Sequence, residues 1–354
     1  MSSPDQDLVV ETVRDILTKH EPFVLTAERQ WDDGLWSALA GAGLTGVGLP
    51  EEAGGSGGDL ADAVAIVATL AQGAAAVPVA EQLLVAAPAL LAAGLDLPSP
   101  EQPLTVAVDG AVAAAASDDG DGPGRFTLTG TATDVAWAGV AQHVAVLAHG
   151  GAGPVLALVD VSGMPATHAA NLAGEPRGSL VFDGVAAAGA LLSEAQVAEL
   201  QARYALARAV QLSAALGQVL TWTVQYAGER HQFGRPLGRF QAIQMELAEM
   251  AGEVTAAAAL VDAAVQALER GESVTLAAAA AKVRAGAAVE VVARLAHQVH
   301  GAIGFTQEHK LHHLTRRCWS WRDEAGTEVA WSRVLGAGLV ADPDGLWPAL
   351  THVV

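Results

Sequence analysis

Apolar residues recur at helical spacing from Asp7 to about Leu95: Val9, Val13, Ile16 and Leu17 share one face, and Leu35, Leu39 and Leu44 extend the pattern. Gly41, Gly43, Gly46, Gly48, Pro50 and the run GGSGG from Gly54 to Gly58 interrupt it with turns. From about Pro103 to Gly189 the period shortens. Runs such as LTVAV, RFTLTG, HVAVLA, PVLALVDV and SLVF, spaced by Gly, Asp and Asn, predict strands of a compact antiparallel sheet. From Ser193 onward helical spacing returns, with Leu206, Val210, Ala214 and Leu220 on one pattern and Ile243, Leu247, Met250 and Val254 on another. These predict a bundle of four or five helices. The chain reads as an α+β protein with an N-terminal helical domain at 1–101, a central β domain at 102–192 and a C-terminal helical bundle at 193–354. No fixed-period repeat is visible. The Ala-rich stretch Leu276 to Ala288 reads as a tightly packed core helix, since Ala has the highest helix propensity and lets neighbours approach closely.

Composition narrows the classes. With 354 residues, 51% of them hydrophobic, 16% charged and a mean hydropathy of +0.32, the chain has the material for a large core and lacks the profile of a disordered one. Its apolar stretches are short and Ala-rich, so no membrane span is expected. Lys+Arg 19 against Asp+Glu 39 gives a formal charge of -20, which excludes a basic nucleic-acid surface. Cys318 is the single cysteine and has no partner for an internal disulfide. The acidic start MSSPDQDLVVETVRD has no signal-peptide pattern, and a soluble cytoplasmic protein is expected.

Three segments carry candidate chemistry. Gly41-Ala-Gly43-Leu-Thr-Gly46 matches a dinucleotide-binding GxGxxG, but it follows a helical pattern rather than a strand and reads as a helix-ending turn. His297, His300, His309, His312 and His313 cluster near the end, and the last three have the spacing that places imidazoles on one helix face. A metal site and a solvated or interfacial face both fit that spacing; HExxH is absent, Lys310 intervenes, and no metal is assigned. In Glu229-Arg230-His231-Gln232-Phe233-Gly234-Arg235-Pro236-Leu237-Gly238 one helix ends at a glycine turn and the next begins at a proline. Arg230 and Arg235 flank an amide and an aromatic ring, which suits a pyrophosphate and a planar ring, and Gln241 sits just inside the following helix. Solvated arginines fit the same pattern.

The segment RHQFGRPLGRFQAIQMELAEM, from Arg230 to Met250, resembles the R-x-Q-F-G…F-Q-x-I…A-x-M signature of the acyl-CoA dehydrogenases. Gln298-Val-His-Gly-Ala-Ile-Gly-Phe-Thr306 is similar to the family's Q-x-x-G-x-x-G-[FY] segment, and Gly48-Leu-Pro50-Glu-Glu-Ala-Gly-Gly-Ser-Gly57 to its L-P-E-x-x-G-G-x-G loop. The order of helices, sheet and helices agrees as well. The resemblance implies FAD at a subunit interface, with Arg230, Gln232 and Phe233 on its pyrophosphate side, Gln298 and Gly301 on its adenosine side, and Gln241 and Thr327 in the same cofactor-binding set. It implies that a carboxylate removes the α proton of an acyl-CoA while the β hydride passes to the flavin, giving a trans-2-enoyl-CoA.

The sequence departs from that family at the base. In many members the base is the Glu of a Y-E-G-T loop; counting from Gly304, Gly326-Thr327 fall on G-T and the base position is Ala325, preceded by Glu324. A second branch carries its glutamate on the first long bundle helix, at a position that falls near Tyr204 beside Arg203. The T-E-x-x-x-G-S-D sheet loop is replaced by Leu104-Thr-Val-Ala-Val-Asp-Gly110 and an Ala run, and Val329 stands where the family has a second glutamine. HKLHHLTRR, from His309 to Arg317, resembles an actinobacterial-style branch in which two homologous subunits form an α2β2 assembly that oxidises steroid side-chain CoA thioesters. One subunit there can supply the base and the other can lack it. The expectation is a base-deficient partner subunit. The alternatives are a homotetramer using Glu324, or a carboxylate such as Glu308, and a flavin-free structural or acyl-CoA-binding protein.

Overall fold

The computed structural model describes residues 4–20, 25, 31–116, 124–167 and 169–341. Contacts divide the chain into two compact units, Met1–Val67 with Ala75–Ala207, and Ala68–Ala74 with Arg208–Val354.

The first unit opens with α1 (Pro4–Lys19), α2 (Asp33–Gly41) and the start of α3 (Leu60–Gln72), and a π-helical turn Glu81–Ala86 runs directly into α4 (Ala87–Ala92). Asp32 caps α2, its Oδ1 accepting from the Leu35 amide at 2.9 Å. The GxGxxG match lies at the end of α2: Gly41 is its last residue and Gly43 takes a left-handed φ of 73°. In the loop that follows, a Cβ on Gly55 would overlap the Leu49 carbonyl, so only glycine lets the chain fold back there.

The sheet contains β1 (Leu104–Ala107), β2 (Gly110–Ala116), β3 (Arg125–Ala136), β4 (His143–Gly150), β5 (Gly153–Asp160), β6 (Ala169–Ala170) and β7 (Pro176–Leu191). The pairings β4-β2-β3-β7-β5 return from β5 to β4 and close a ring, with β1 added outside β4 and β6 on β7. The sheet is mixed rather than antiparallel, because β4 runs parallel to both β1 and β2. Residue alternation predicts strands but carries no information on their relative direction, which the connections decide. On β3, Phe126, Leu128 and Ala132 are buried, and an irregularity between Ala132 and Val135 resets the alternation so that Val135 and Ala136 are buried too. Phe126, Leu128, Ala132 and Val135 join Val144, Val146, Val155, Leu180 and Phe182 in one core, while Ala136 packs with Ala76 and Trp137.

α5 (Glu194–Glu229) begins in the first unit and ends in the second. The second unit continues with β8 (His231–Gln232), β9 (Arg235–Pro236), α6 (Gln241–Glu269), α7 (Thr275–His300), α8 (Leu311–Asp323) and α9 (Glu328–Ala341). α7 is the hub of this bundle, packing against α6, α8 and α9. Its alanines 278, 279, 281, 285 and 288 are all buried, as the Ala-rich run predicts. Lys282 is buried in their midst. Among the described residues α6 is long and apolar enough by length and composition to cross a membrane. It is instead packed along α7, and its Glu253 is ion-paired with Arg284 of that helix.

Candidate functional site

Between α5 and α6 the chain forms a miniature ribbon rather than a plain helix hairpin. His231 pairs with Pro236 and Gln232 with Arg235, and the two residues at the tip, Phe233 and Gly234, have φ of 52° and 80°. Two positive φ values mark the mirror-image turn that matches the twist of a two-stranded ribbon. Gly234 therefore ends a β-turn, not α5, and α6 begins at Gln241 after a 3-10 turn at Leu237–Arg239. The turn projects Phe233 into solvent at 91% exposure, its ring edge-on to Phe240 at 6.2 Å, with the Arg235 guanidinium 4.1 Å over the Phe240 ring.

Arg230, Gln232, Gln241 and Gln298 are exposed, and none of their side chains makes a hydrogen bond or ion pair among the described residues. One guanidinium and three amides thus remain open to a ligand with phosphate and polar ring edges, which is the donor chemistry a dinucleotide cofactor requires. Gly301, just beyond α7, has φ 62° and ψ -145°, a region open only to glycine. A Cβ there would meet nothing within 4 Å in this chain, so its backbone conformation, and no crowding within the chain, demands glycine. Tyr226, one turn before Arg230, stacks on His300 at 4.4 Å and its hydroxyl donates to the His300 carbonyl at 3.4 Å. The fold so brings the hairpin and the Gln298–Gly301 segment together, through a tyrosine that the motif comparison passes over.

The turn after α8 is built differently. Glu324 is buried, and its Oε2 lies 2.9 Å from Nε of Arg208, itself 2% exposed; Nη1 of Arg208 donates to Gln211 at 2.6 Å. Lys282 donates to the carbonyls of Arg322 at 2.6 Å and Gly326 at 2.9 Å. Burial first, and then the Arg208 charge, push the Lys282 ammonium down to about 8. Ala325 takes a left-handed φ of 54°, and Nε1 of Trp331 donates to its carbonyl at 2.7 Å. The Thr327 hydroxyl accepts from the Ala330 amide at 3.3 Å and caps α9. No described contact ties Glu324 or Thr327 to the hairpin. Glu308 is exposed, and Tyr204, near which the sequence count puts the second branch's base, is buried in the first unit.

His309 precedes α8 and stands edge-on to His300, so the one-face reading of His309, His312 and His313 does not hold. Among the described residues no group of three or more His, Cys, Asp or Glu has the arrangement of a metal site.

The model of the acyl-CoA dehydrogenase N-terminal domain matches residues 3–96, and that of the acyl-CoA dehydrogenase C-terminal domain matches 193–336. The chain belongs to the acyl-CoA dehydrogenase family. It is 30% identical over 325 residues to acyl-CoA dehydrogenase IpdE2 of Mycobacterium tuberculosis, covering 90% of this chain and 92% of that one. Among solved structures it is similar to a chain of the ChsE4-ChsE5 complex from the same organism, with a TM-score of 0.86, 26% identity and coverage of 97% and 99%. A variant of the Tcur3481-Tcur3483 steroid ACAD matches with a TM-score of 0.83, 30% identity and coverage of 94% and 97%. As an acyl-CoA dehydrogenase the chain is an oxidoreductase of a flavoprotein family, and the exposed donor set at the hairpin fits a flavin cofactor.

Proposed function

We propose that this acyl-CoA dehydrogenase chain is the base-deficient subunit of a heteromeric, FAD-dependent enzyme that desaturates a bulky acyl-CoA, of the steroid side-chain class, at its α,β bond. The observation that carries the reading is the contrast between the two site elements. At the turn after α8 the motif resemblance puts the base position at Ala325, and the neighbouring carboxylate of Glu324 is engaged by buried Arg208. At the hairpin, Arg230, Gln232, Gln241 and Gln298 stand free of any described partner. The bound flavin would supply the two-electron acceptor. Arg230 would hold a phosphate oxygen by a charge-assisted bond, the Gln232 amide would accompany it on the pyrophosphate side, and Gln298 with the Gly301 backbone would meet the adenosine side. Phe233, held out by the ribbon turn, would pack on the neighbouring subunit, which brings the α-proton base.

The heteromeric and steroid assignment is supported by the two-component names of the ChsE4-ChsE5 and Tcur3481-Tcur3483 relatives. A cytoplasmic location is inferred from the acidic surface and the lone Cys318, whose buried thiol is pushed up to about 12. The test is co-expression with a homologous dehydrogenase subunit, followed by flavin counting and acyl-CoA oxidation. The complex is expected to hold about one FAD per pair of chains and to turn over, while this chain alone holds little FAD and does not. Full occupancy and acyl-CoA oxidation by the isolated chain would overturn the proposal.

A further inference from the structure

The joint between the end of α5 and the end of α7 is made of aromatic rings, with imidazoles at its centre. Tyr226 stacks on His300 at an interplanar angle of 21°, and His309 stands edge-on to both, 4.8 Å from His300 and 6.4 Å from Tyr226. Phe305 stacks on His297 at 4.5 Å, and the Lys310 ammonium lies 4.3 Å over the Trp222 ring of α5. These contacts pin the Gly301–Phe305 turn at both ends.

The tautomers follow from the hydrogen bonds. His300 Nδ1 donates to the Ala296 carbonyl at 2.8 Å, so the neutral ring leaves Nε2 as a bare acceptor. That atom is buried without a hydrogen-bond partner among the described residues. His309 Nδ1 accepts from the Leu311 amide at 3.2 Å, which places its proton on Nε2. A second proton on His300 would create a buried cation whose new N–H finds no acceptor.

The surroundings offer little to neutralise it. α7 contributes His297; the segment before α8 contributes His309, Lys310 and Glu308; α8 contributes His312, His313, Arg316 and Arg317; and α5 contributes the phenol of Tyr226 and exposed Glu229. Glu308 is exposed, and its own backbone amide first, then the neighbouring Thr306 side chain, lower its carboxyl below the ordinary range. Burial, ahead of any charge, holds His300 and His309 below the ordinary histidine range near 6.5; at His300 the hydrogen bond to Ala296 opposes it and His297 adds repulsion, and His300, Lys310 and His312 add it at His309. A group depressed in the closed state takes up its proton more readily when the joint opens. The joint is therefore at full strength above about pH 6.5 and loses stability as pH falls below it.

We propose that His300 and His309 form a proton-operated joint that holds the Gly301–Phe305 turn and the Arg230–Gly234 hairpin together at neutral pH and releases them in mild acid. The proposal stands on the ring geometry alone and is independent of the flavin reading, so the test is made on the full chain without added cofactor. Hydrogen exchange followed by mass spectrometry, corrected for intrinsic rates, is compared at about pH 7.5 and about pH 5.5. Peptides covering 226–234 and 299–309 should exchange about tenfold faster at the lower pH, with the middle of α6 unchanged. His309→Phe keeps a ring at the joint and removes its proton site, and should cut the acid response to about threefold or less. His300→Phe should do the same. Acceleration spread evenly over the bundle, no acceleration in the parent chain, or an undiminished response in folded variants would each overturn the proposal.

Discussion

Glu324 Oε2 and Arg208 Nε lie 2.9 Å apart, both buried, and tie the turn after α8 to α5. The motif resemblance puts the family's base position in this turn, and the turn is built as a structural clamp. The carboxylate beside Ala325 meets Arg208, the backbone on either side is held by Lys282, and Trp331 fixes the Ala325 carbonyl.

Removing the charge at Glu324 should therefore cost stability. Glu324→Gln removes the carboxylate charge 2.9 Å from the buried Arg208 guanidinium, at a cost of about 3–5 kcal/mol. Urea unfolding of the chain measures it. Within the proposed heteromeric complex, the variant that still folds should keep its flavin reduction by acyl-CoA; complete loss of reduction with FAD retained would show that Glu324 acts as the base.

Arg230→Ala should act the other way. The side chain is exposed and unpaired, so the midpoint of thermal unfolding should hold within about 1 °C. Flavin affinity of the complex should fall by about 1.5–3 kcal/mol, read by fluorescence titration with FAD.

Phe233 adopts φ 52° in a turn that favours asparagine at that place. Phe233→Asn should leave the isolated chain as stable or raise its stability by up to about 1 kcal/mol. Assembly with the partner subunit should weaken, because the ring that the turn presents is gone; sedimentation of the mixed subunits reports it.

Lys282 gives an alkaline signature. Its folded-state value near 8 lies below the ordinary 10.5 because of burial. The unfolded chain therefore binds more protons between those limits, and stability should rise with pH from about 8 to about 10.5, by about 3 kcal/mol from this residue. The difference in unfolding free energy between the parent and Lys282→Met isolates it, and a pH-independent difference would refute it.

Gly301→Ala tests backbone against packing. Its Cβ would enter open space, yet φ 62° with ψ -145° is closed to alanine, so a loss of about 1–3 kcal/mol is expected. No loss would mean that the turn relaxes freely.

Local chemistry reached far in this chain. Periodicity at 3.6 and at 2 separated helices from strands, because each element buries one face and so writes its period into the residues. Glycines at 43 and 301 marked backbone that other residues resist, and the motif from Arg230 to Met250 marked the exposed donor set. Pairings between distant segments left no such trace. Strand direction in the closed sheet depends on how β4 returns beside β1 and β2. The partner of Glu324 lies 116 positions away, at Arg208, and both residues read locally as ordinary charges. Lys282 was the one legible hint, a charge set with Arg284 in an alanine run, but its two carbonyl partners are 40 and 44 residues distant. The histidines looked like one helix face because spacing alone cannot say that α8 begins at Leu311 and that His309 turns back onto His300. A period records which face is buried; only the folded chain decides what that face is buried against.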